Sequence, residues 1–177
     1  MNGRAPARRS DNQTNPVIIF LDFDGVLHPE PCMDEALLFE NAPRLADALA
    51  PYLRVFLVLS TAWRHASNYE QLLAPLPPLL ARRVIGVTPN FSDFLPDPTL
   101  IPYRRQAECM RWMLQNRLQG QAWLALDDRP SEFVPYCENL IACHPQTGFD
   151  ESASARLSSA LARHFDRHGH NVDLLID

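Results

Sequence analysis

The stretch 18-IIFLDFDGVLHPE-30 decides how the rest of the chain is read. Four apolar residues, Ile18 to Leu21, run straight into Asp22 and Asp24 and then Gly25. Together with Val17 they predict a buried strand over 17–22. Carboxylates are costly to bury, so a strand that ends in two of them usually has a use for them. The alternative is a strand running out into a solvated turn, since Asp and Gly are common turn residues. Strand side chains alternate, so positions 22 and 24 point to one side.

Working outward, further apolar runs alternate with helical patterns. Strands are predicted over 54–60 (RVFLVLS), 83–88 (RVIGVT), 122–128 (AWLALDD) and 139–144 (NLIACH). Helices are predicted over 42–53, with Pro43 near the start and Leu45, Leu49 and Tyr52 on one side, and over 66–76, stopped by the prolines at 75 to 78. A long helix over 102–119 turns Ala107, Met110, Met113, Leu114 and Leu118 to the core and closes at Gly120. A last amphipathic helix covers 153–168, capped by Gly169, and NVDLLID is a short edge strand or a docked tail. Apolar strands separated by helices imply a parallel sheet covered on both faces. In such sheets, function collects at the carboxyl ends of the strands.

The chain of 177 residues fits one domain, 16–177, behind a polar, locally basic N-terminal tail over 1–15. Its net charge of −5 gives no global attraction to nucleic acid or anionic membranes. All 16 basic residues are arginine, so a cation at any site is a planar guanidinium and Schiff-base chemistry on lysine is excluded. Cys32, Cys109, Cys137 and Cys143 make no CxxC pair, which implies reduced thiols and a cytoplasmic protein. No run is long enough for a membrane span and no signal peptide is evident, so no membrane partner and no obligate protein partner are expected. His164, His168 and His170 sit at a helix C-terminus, where histidine is favourable without a metal.

The predicted strand ends carry one set of groups. Strand one ends in Asp22 and Asp24, strand two in Ser60 and Thr61 followed by Trp63 and Arg64, and strand four in Asp127 and Asp128. The helix before strand four opens with Arg104 and Arg105. Four carboxylates together repel unless something compensates, and oxygen-only ligands suit Mg²⁺. Hydroxyls and guanidinium groups suit phosphoryl oxygens, and aspartate can attack phosphorus. The chemistry points to Mg²⁺-dependent phosphoryl transfer through an aspartyl-phosphate.

These residues resemble a known superfamily. LDFDGVL resembles the first motif, DxDx[TV], of the haloacid dehalogenase (HAD) superfamily; Ser60, Arg105 and ALDD stand where its second, third and fourth motifs stand. More narrowly, LDFDGVLHP, VLSTAWR, RRxxE and WLALDD together resemble the HAD domain of Swiss Army Knife RNA-repair proteins. The resemblance spans roughly residues 16 to 150. It implies a Rossmann-like three-layer α/β/α sandwich with a mainly parallel five-stranded sheet in the order 3-2-1-4-5, without a large cap domain.

By resemblance, Asp22 is the nucleophile and a metal ligand. Asp24 is the general acid and base, with its backbone carbonyl on the metal. Ser60 binds the transferring phosphoryl, with Thr61 as close competitor, and Arg105 replaces the usual lysine. Asp127 and Asp128 complete the metal site, with Asp128 the direct ligand and the other acting through water. Arg64 is a candidate substrate contact, His28 a neighbour of the site, Trp63 a core residue, and Thr147 and Gly148 a rim. The gaps between Asp24 and Ser60 and after the third strand are about 35 and 15 residues, too short for a cap with its own core. An open site suits a macromolecular phosphate such as a nucleic-acid end; a small phosphomonoester is the alternative substrate. A receiver-like signalling module would need an acceptor Asp after strand three and a late Lys; here strand three ends in Thr88-Pro89 and the chain has no Lys. An inactive HAD-like interaction domain would not need its acids intact.

Overall fold

The computed structural model describes residues 15–167. Most of the expected tail, His168, His170 and the final NVDLLID lie outside them. Five strands form one all-parallel sheet: β1 Val17–Leu21, β2 Val55–Leu59, β3 Val84–Val87, β4 Ala122–Asp127 and β5 Leu140–Ala142. Their order is β3-β2-β1-β4-β5. The chain winds outward from β1 through β2 to β3, then crosses back to β4 and β5. The switch point therefore falls between β1 and β4, the crevice where open α/β sheets bind ligands.

β1 is buried along its whole length because it is central and covered on both faces. Val17, Ile19 and Leu21 face a core shared with α1 (Ala42–Leu49) and α5 (Glu151–Arg167). Ile18 and Phe20 face a smaller core closed by Cys109, Trp112 and Met113 of α4 (Arg104–Gln115). The period of two in the sequence thus becomes two cores and three layers. Between β2 and β3 the chain makes α2 (Tyr69–Leu73) and then α3 (Pro78–Ala81). The prolines at 75–78, expected only to stop a helix, also start one: Pro78 sits in its first turn, where its missing N–H has no intrahelical partner to lose.

Two expectations for α4 need correction. Leu114 is half-exposed, and the buried residues are Arg105, Ala107, Glu108, Cys109, Trp112 and Met113. Two of those six residues carry charge, so hydrophobicity alone misplaces the face. The helix also ends before Gly120: Arg117 adopts a left-handed conformation (φ 58°), and the Leu118 N–H closes on the Met113 carbonyl. A Cβ on Gly120 would meet nothing within 4 Å, so no steric demand selects glycine there.

The connections after β1 and β3 contain short 3₁₀ turns, at Glu35–Leu37, Phe91–Asp93 and Pro98–Leu100. Neither insertion is a cap domain. No helix among the described residues is long and apolar enough to cross a membrane.

Candidate active site

Strand register brings the four motifs together. Leu21 lies opposite Leu59 on one side and Leu126 on the other, so the next residues, Asp22, Ser60 and Asp127, leave the sheet side by side. The ladder continues past the strand ends, with the Asp22 N–H bonded to the Leu126 carbonyl at 3.0 Å and the Ser60 N–H to the Leu21 carbonyl at 2.8 Å. Asp22 is thereby fixed at its backbone by the most buried strand of the molecule. Gly25 (φ 66°) then turns the chain, and a Cβ there would come within 2.4 Å of the Asp128 carboxyl group. Only glycine allows both the backbone angle and that approach.

Asp22, Asp127 and Asp128 present carboxylate oxygens that lie within 4.8 Å of one another, all three buried. Arg105 reaches into this group, donating to Asp22 Oδ2 at 2.9 Å and lying 3.9 Å from Asp127 Oδ2. Burial opposes its charge, but the surrounding acids overcome that and hold it protonated. Backbone N–H groups complete the cradle: Phe23 donates to Asp22 Oδ1 and Arg129 to Asp127 Oδ1, each at 2.8 Å.

Arg105 within the group and half-exposed Arg129 at its edge do not neutralise three acids. Burial pushes the Asp22 carboxyl up to about 6, against the pull of Arg105. Burial, then the charge of Asp22, pushes Asp127 up to about 8, and burial raises Asp128 as well. Asp128 Oδ1 is buried with no hydrogen-bond partner, and the nearest cation, Arg129 Nε, is 3.8 Å away. An excess of buried negative charge, oxygen-only donors and an orphaned carboxylate oxygen together fit a hard divalent cation, and Mg²⁺ suits the set. The residues that would hold it are Asp22, Asp127 and Asp128.

The carboxylate of Asp24 stands apart from that group. Its Oδ1 is 3.0 Å from His28 Nε2, and Trp63 Nε1 donates to both of its oxygens at 3.0 Å. The His28 bond, opposed by burial and reinforced by Trp63, holds the Asp24 carboxyl below the usual range. A tight turn, with the Leu27 N–H on the Phe23 carbonyl at 2.8 Å, brings His28 back over Asp24. His28 is almost completely buried and is a component of the site's wall.

Ser60 is buried, and its Oγ accepts a long 3.5 Å bond from Arg105. Thr61 caps the 3₁₀ turn Ala62–His65, its Oγ1 accepting from the Trp63 N–H at 3.3 Å. Arg64, a candidate substrate contact by sequence, is engaged within the protein. It donates to Glu108 Oε1 at 2.7 Å, to the Thr61 carbonyl at 2.6 Å and to Asn90 Oδ1 at 3.3 Å. The Phe91 N–H also donates to Glu108 Oε1, at 2.9 Å. This buried pair joins the loops after β2 and β3 to the helix that carries Arg105. Gly148 (φ 61°) lies against the Val26 carbonyl, which accepts from the Phe149 N–H, so the expected rim supports the loop after Asp24.

Sequence reasoning missed three partners: Trp63 on Asp24, Glu108 on Arg64, and Arg129 beside Asp128. Trp63 and Glu108 stand inside the motifs VLSTAWR and RRxxE, but their side-chain roles depend on which loop each faces. Arg129 follows the last acid directly and had no separate signal.

No curated protein and no solved structure matches the chain. The family described as the HAD domain in Swiss Army Knife RNA repair proteins matches residues 18–153, from β1 through the start of α5. With all four motifs inside that span and the sheet in the expected order, the chain belongs to this HAD-domain family, within a superfamily of hydrolases.

Proposed function

We propose that the protein is a Mg²⁺-dependent phosphomonoester hydrolase working through an aspartyl-phosphate on Asp22. The observation that carries the reading is the buried three-acid cluster crossed by a single guanidinium at the end of the central strand. Bound there, Mg²⁺ would supply charge neutralisation, letting Asp22 face a phosphate dianion in its ionised form.

This chain's residues account for the remaining steps. An Asp22 carboxylate oxygen attacks phosphorus in line, and the bond from phosphorus to the ester oxygen breaks. Asp24 gives its proton to the departing oxygen, then takes one from the water that hydrolyses the aspartyl-phosphate. In the substrate-free protein Asp24 is held ionised; an arriving phosphate dianion raises its proton affinity and loads it for the first step. Ser60 Oγ and Arg105 donate to the phosphoryl oxygens. Arg64 and Glu108 brace α4, so that Arg105 stays aligned.

Without a cap, a phosphate carried on a large molecule can approach, which favours a nucleic-acid end as substrate class. Exposed Arg104 and Arg129, next to Arg105 and Asp128, supply local positive charge that the net charge hides. The test is hydrolysis of p-nitrophenyl phosphate with and without Mg²⁺ by wild type and Asp22→Asn. Turnover is expected only for wild type with Mg²⁺; activity unchanged by Asp22→Asn sinks the mechanism. Oligonucleotides with 5′- or 3′-phosphate, set against mononucleotides, then decide between a polymer end and a small nucleotide.

A further inference from the structure

We propose that Trp63 is a positioning residue: its indole N–H fixes the Asp24 carboxyl group at the angle from which it serves the leaving oxygen. The assignment rests on the aspartyl-phosphate reading above. It starts from geometry no motif explains. Trp63 Nε1 lies 3.0 Å from both Asp24 oxygens, a symmetric grip across 39 positions of sequence. Asp24 has one carboxylate, two jobs and a partly exposed position, and His28 contacts only its Oδ1, so without the indole its side chain could pivot about that contact.

The chemistry of the holder matters. Indole donates only, so it binds the carboxyl through an oxygen lone pair both before and after the proton moves, and it never competes for that proton. A lysine or arginine in its place would add a full positive charge and oppose protonation more strongly than the neutral indole N–H does. Asp24 is absent from the Asp22, Asp127 and Asp128 group, and both of its oxygens accept from the indole N–H instead.

The tryptophan is itself fixed. Its ring packs edge-on against Phe23 and Phe39 at centroid distances of 5.8 and 5.4 Å, and lies 5.9 Å from the His28 ring. Its backbone N–H is bonded to Thr61 Oγ1, the cap that starts the turn after Ser60. The residue that orients the proton donor is therefore anchored to the strand end that binds the phosphoryl group. Such support converts a mobile side chain into a preorganised one.

The test is Trp63→Phe, which removes the donor and keeps an aromatic ring in the packed cluster. kcat/KM is measured on p-nitrophenyl phosphate, whose leaving group departs unprotonated, and on benzyl phosphate, whose alkoxide needs a proton. The ratio of the two values within one preparation is independent of how much enzyme is folded. General acid catalysis contributes about 10²- to 10⁴-fold, so losing its orientation should lower benzyl phosphate turnover by about tenfold or more relative to p-nitrophenyl phosphate. An unchanged ratio, whether both rates fall together or neither falls, overturns the role. So does a selective loss on p-nitrophenyl phosphate. Failure here with Asp22→Asn still inactive removes Trp63 from the mechanism alone; activity of Asp22→Asn removes the underlying reading.

Discussion

Asp22 and Asp24 are two residues apart on one strand end, yet their surroundings push them in opposite directions. Asp22 is buried beside Asp127 and Asp128, and burial raises its proton affinity despite Arg105. Asp24 is partly exposed and held by His28 and Trp63, which lower its proton affinity. Both follow directly from the same strand, but that does not decide their charge. Depth and partners do. An over-negative cluster is stabilised by a cation; a carboxylate held by two nitrogens is poised to exchange a proton.

The comparison breaks most sharply at Asp22. Removing the nucleophile by Asp22→Asn should lower kcat by at least about 10³-fold on every phosphomonoester, because no leaving group compensates for a missing attack. Asp24→Asn should be selective instead. In kcat/KM, which ends at formation of the aspartyl-phosphate and so excludes Asp24's later work on water, the loss should reach about 10²- to 10³-fold on benzyl phosphate and be far smaller on p-nitrophenyl phosphate. Steady-state kinetics on the two substrates checks both. Equal sensitivity of the two variants to leaving group would erase the proposed division of labour.

Gly25 follows Asp24 and packs its backbone against Asp128. In Gly25→Ala, a Cβ would stand 2.4 Å from the Asp128 carboxyl group in a left-handed backbone. The strain of that conformation is about 1–2 kcal/mol. The larger consequence is displacement of an acid of the three-carboxylate group. The Mg²⁺ concentration for half-maximal activity should rise by about tenfold, within the range seen when support around metal ligands is disturbed. A Mg²⁺ titration alongside a thermal melt separates the two effects; an unshifted titration would show that Asp128 is not needed for the cation.

The fold was legible because β1 is apolar on both faces and its neighbours repeat the pattern, so a parallel sheet follows from strands alternating with helices; the strand order came from the resemblance carried by the four motifs. The charged members of the site were legible because each stands at a strand or helix end, where chain order nearly determines position. What the pattern could not show was how side chains from different loops pair. Arg64 looked available to substrate and is closed by Glu108, a partner 44 positions away. Trp63 looked like core and half of it is: the ring packs, while the N–H reaches Asp24. Hydrophobic periodicity describes a ring and is silent about its one polar atom. The α4 face was misread at Leu114 for the same reason, since its buried residues include Arg105 and Glu108, held there by charge partners.

The smallest expected effect tests the acid cluster without turnover. Asp22 and Asp127 have folded-state values of about 6 and about 8, above the ordinary carboxylate range. The native protein therefore holds these protons more tightly than the unfolded chain does. Stability from a raised carboxylate is present below its unfolded value and is lost as pH rises through its folded value. In EDTA, the melting temperature should fall between about pH 5 and pH 8, with a limiting slope of about 1.4 kcal/mol per pH unit for each proton retained. Asp24, Asp97 and Asp150 are shifted the other way and act below that window. A divalent cation favours the ionised acids, so added Mg²⁺ should stabilise little at pH 5 and more, by several degrees, at pH 8. Asp127→Asn should flatten the EDTA slope by removing one of the raised acids, leaving Asp22 and Asp128. Asp24→Asn should leave it standing, because Asp24 is already ionised across the window. A Mg²⁺ effect equal at both pH values would mean that the three acids do not bind the ion through their charge, and the contrast between the two ends of the Asp-Phe-Asp motif would lose its electrostatic basis.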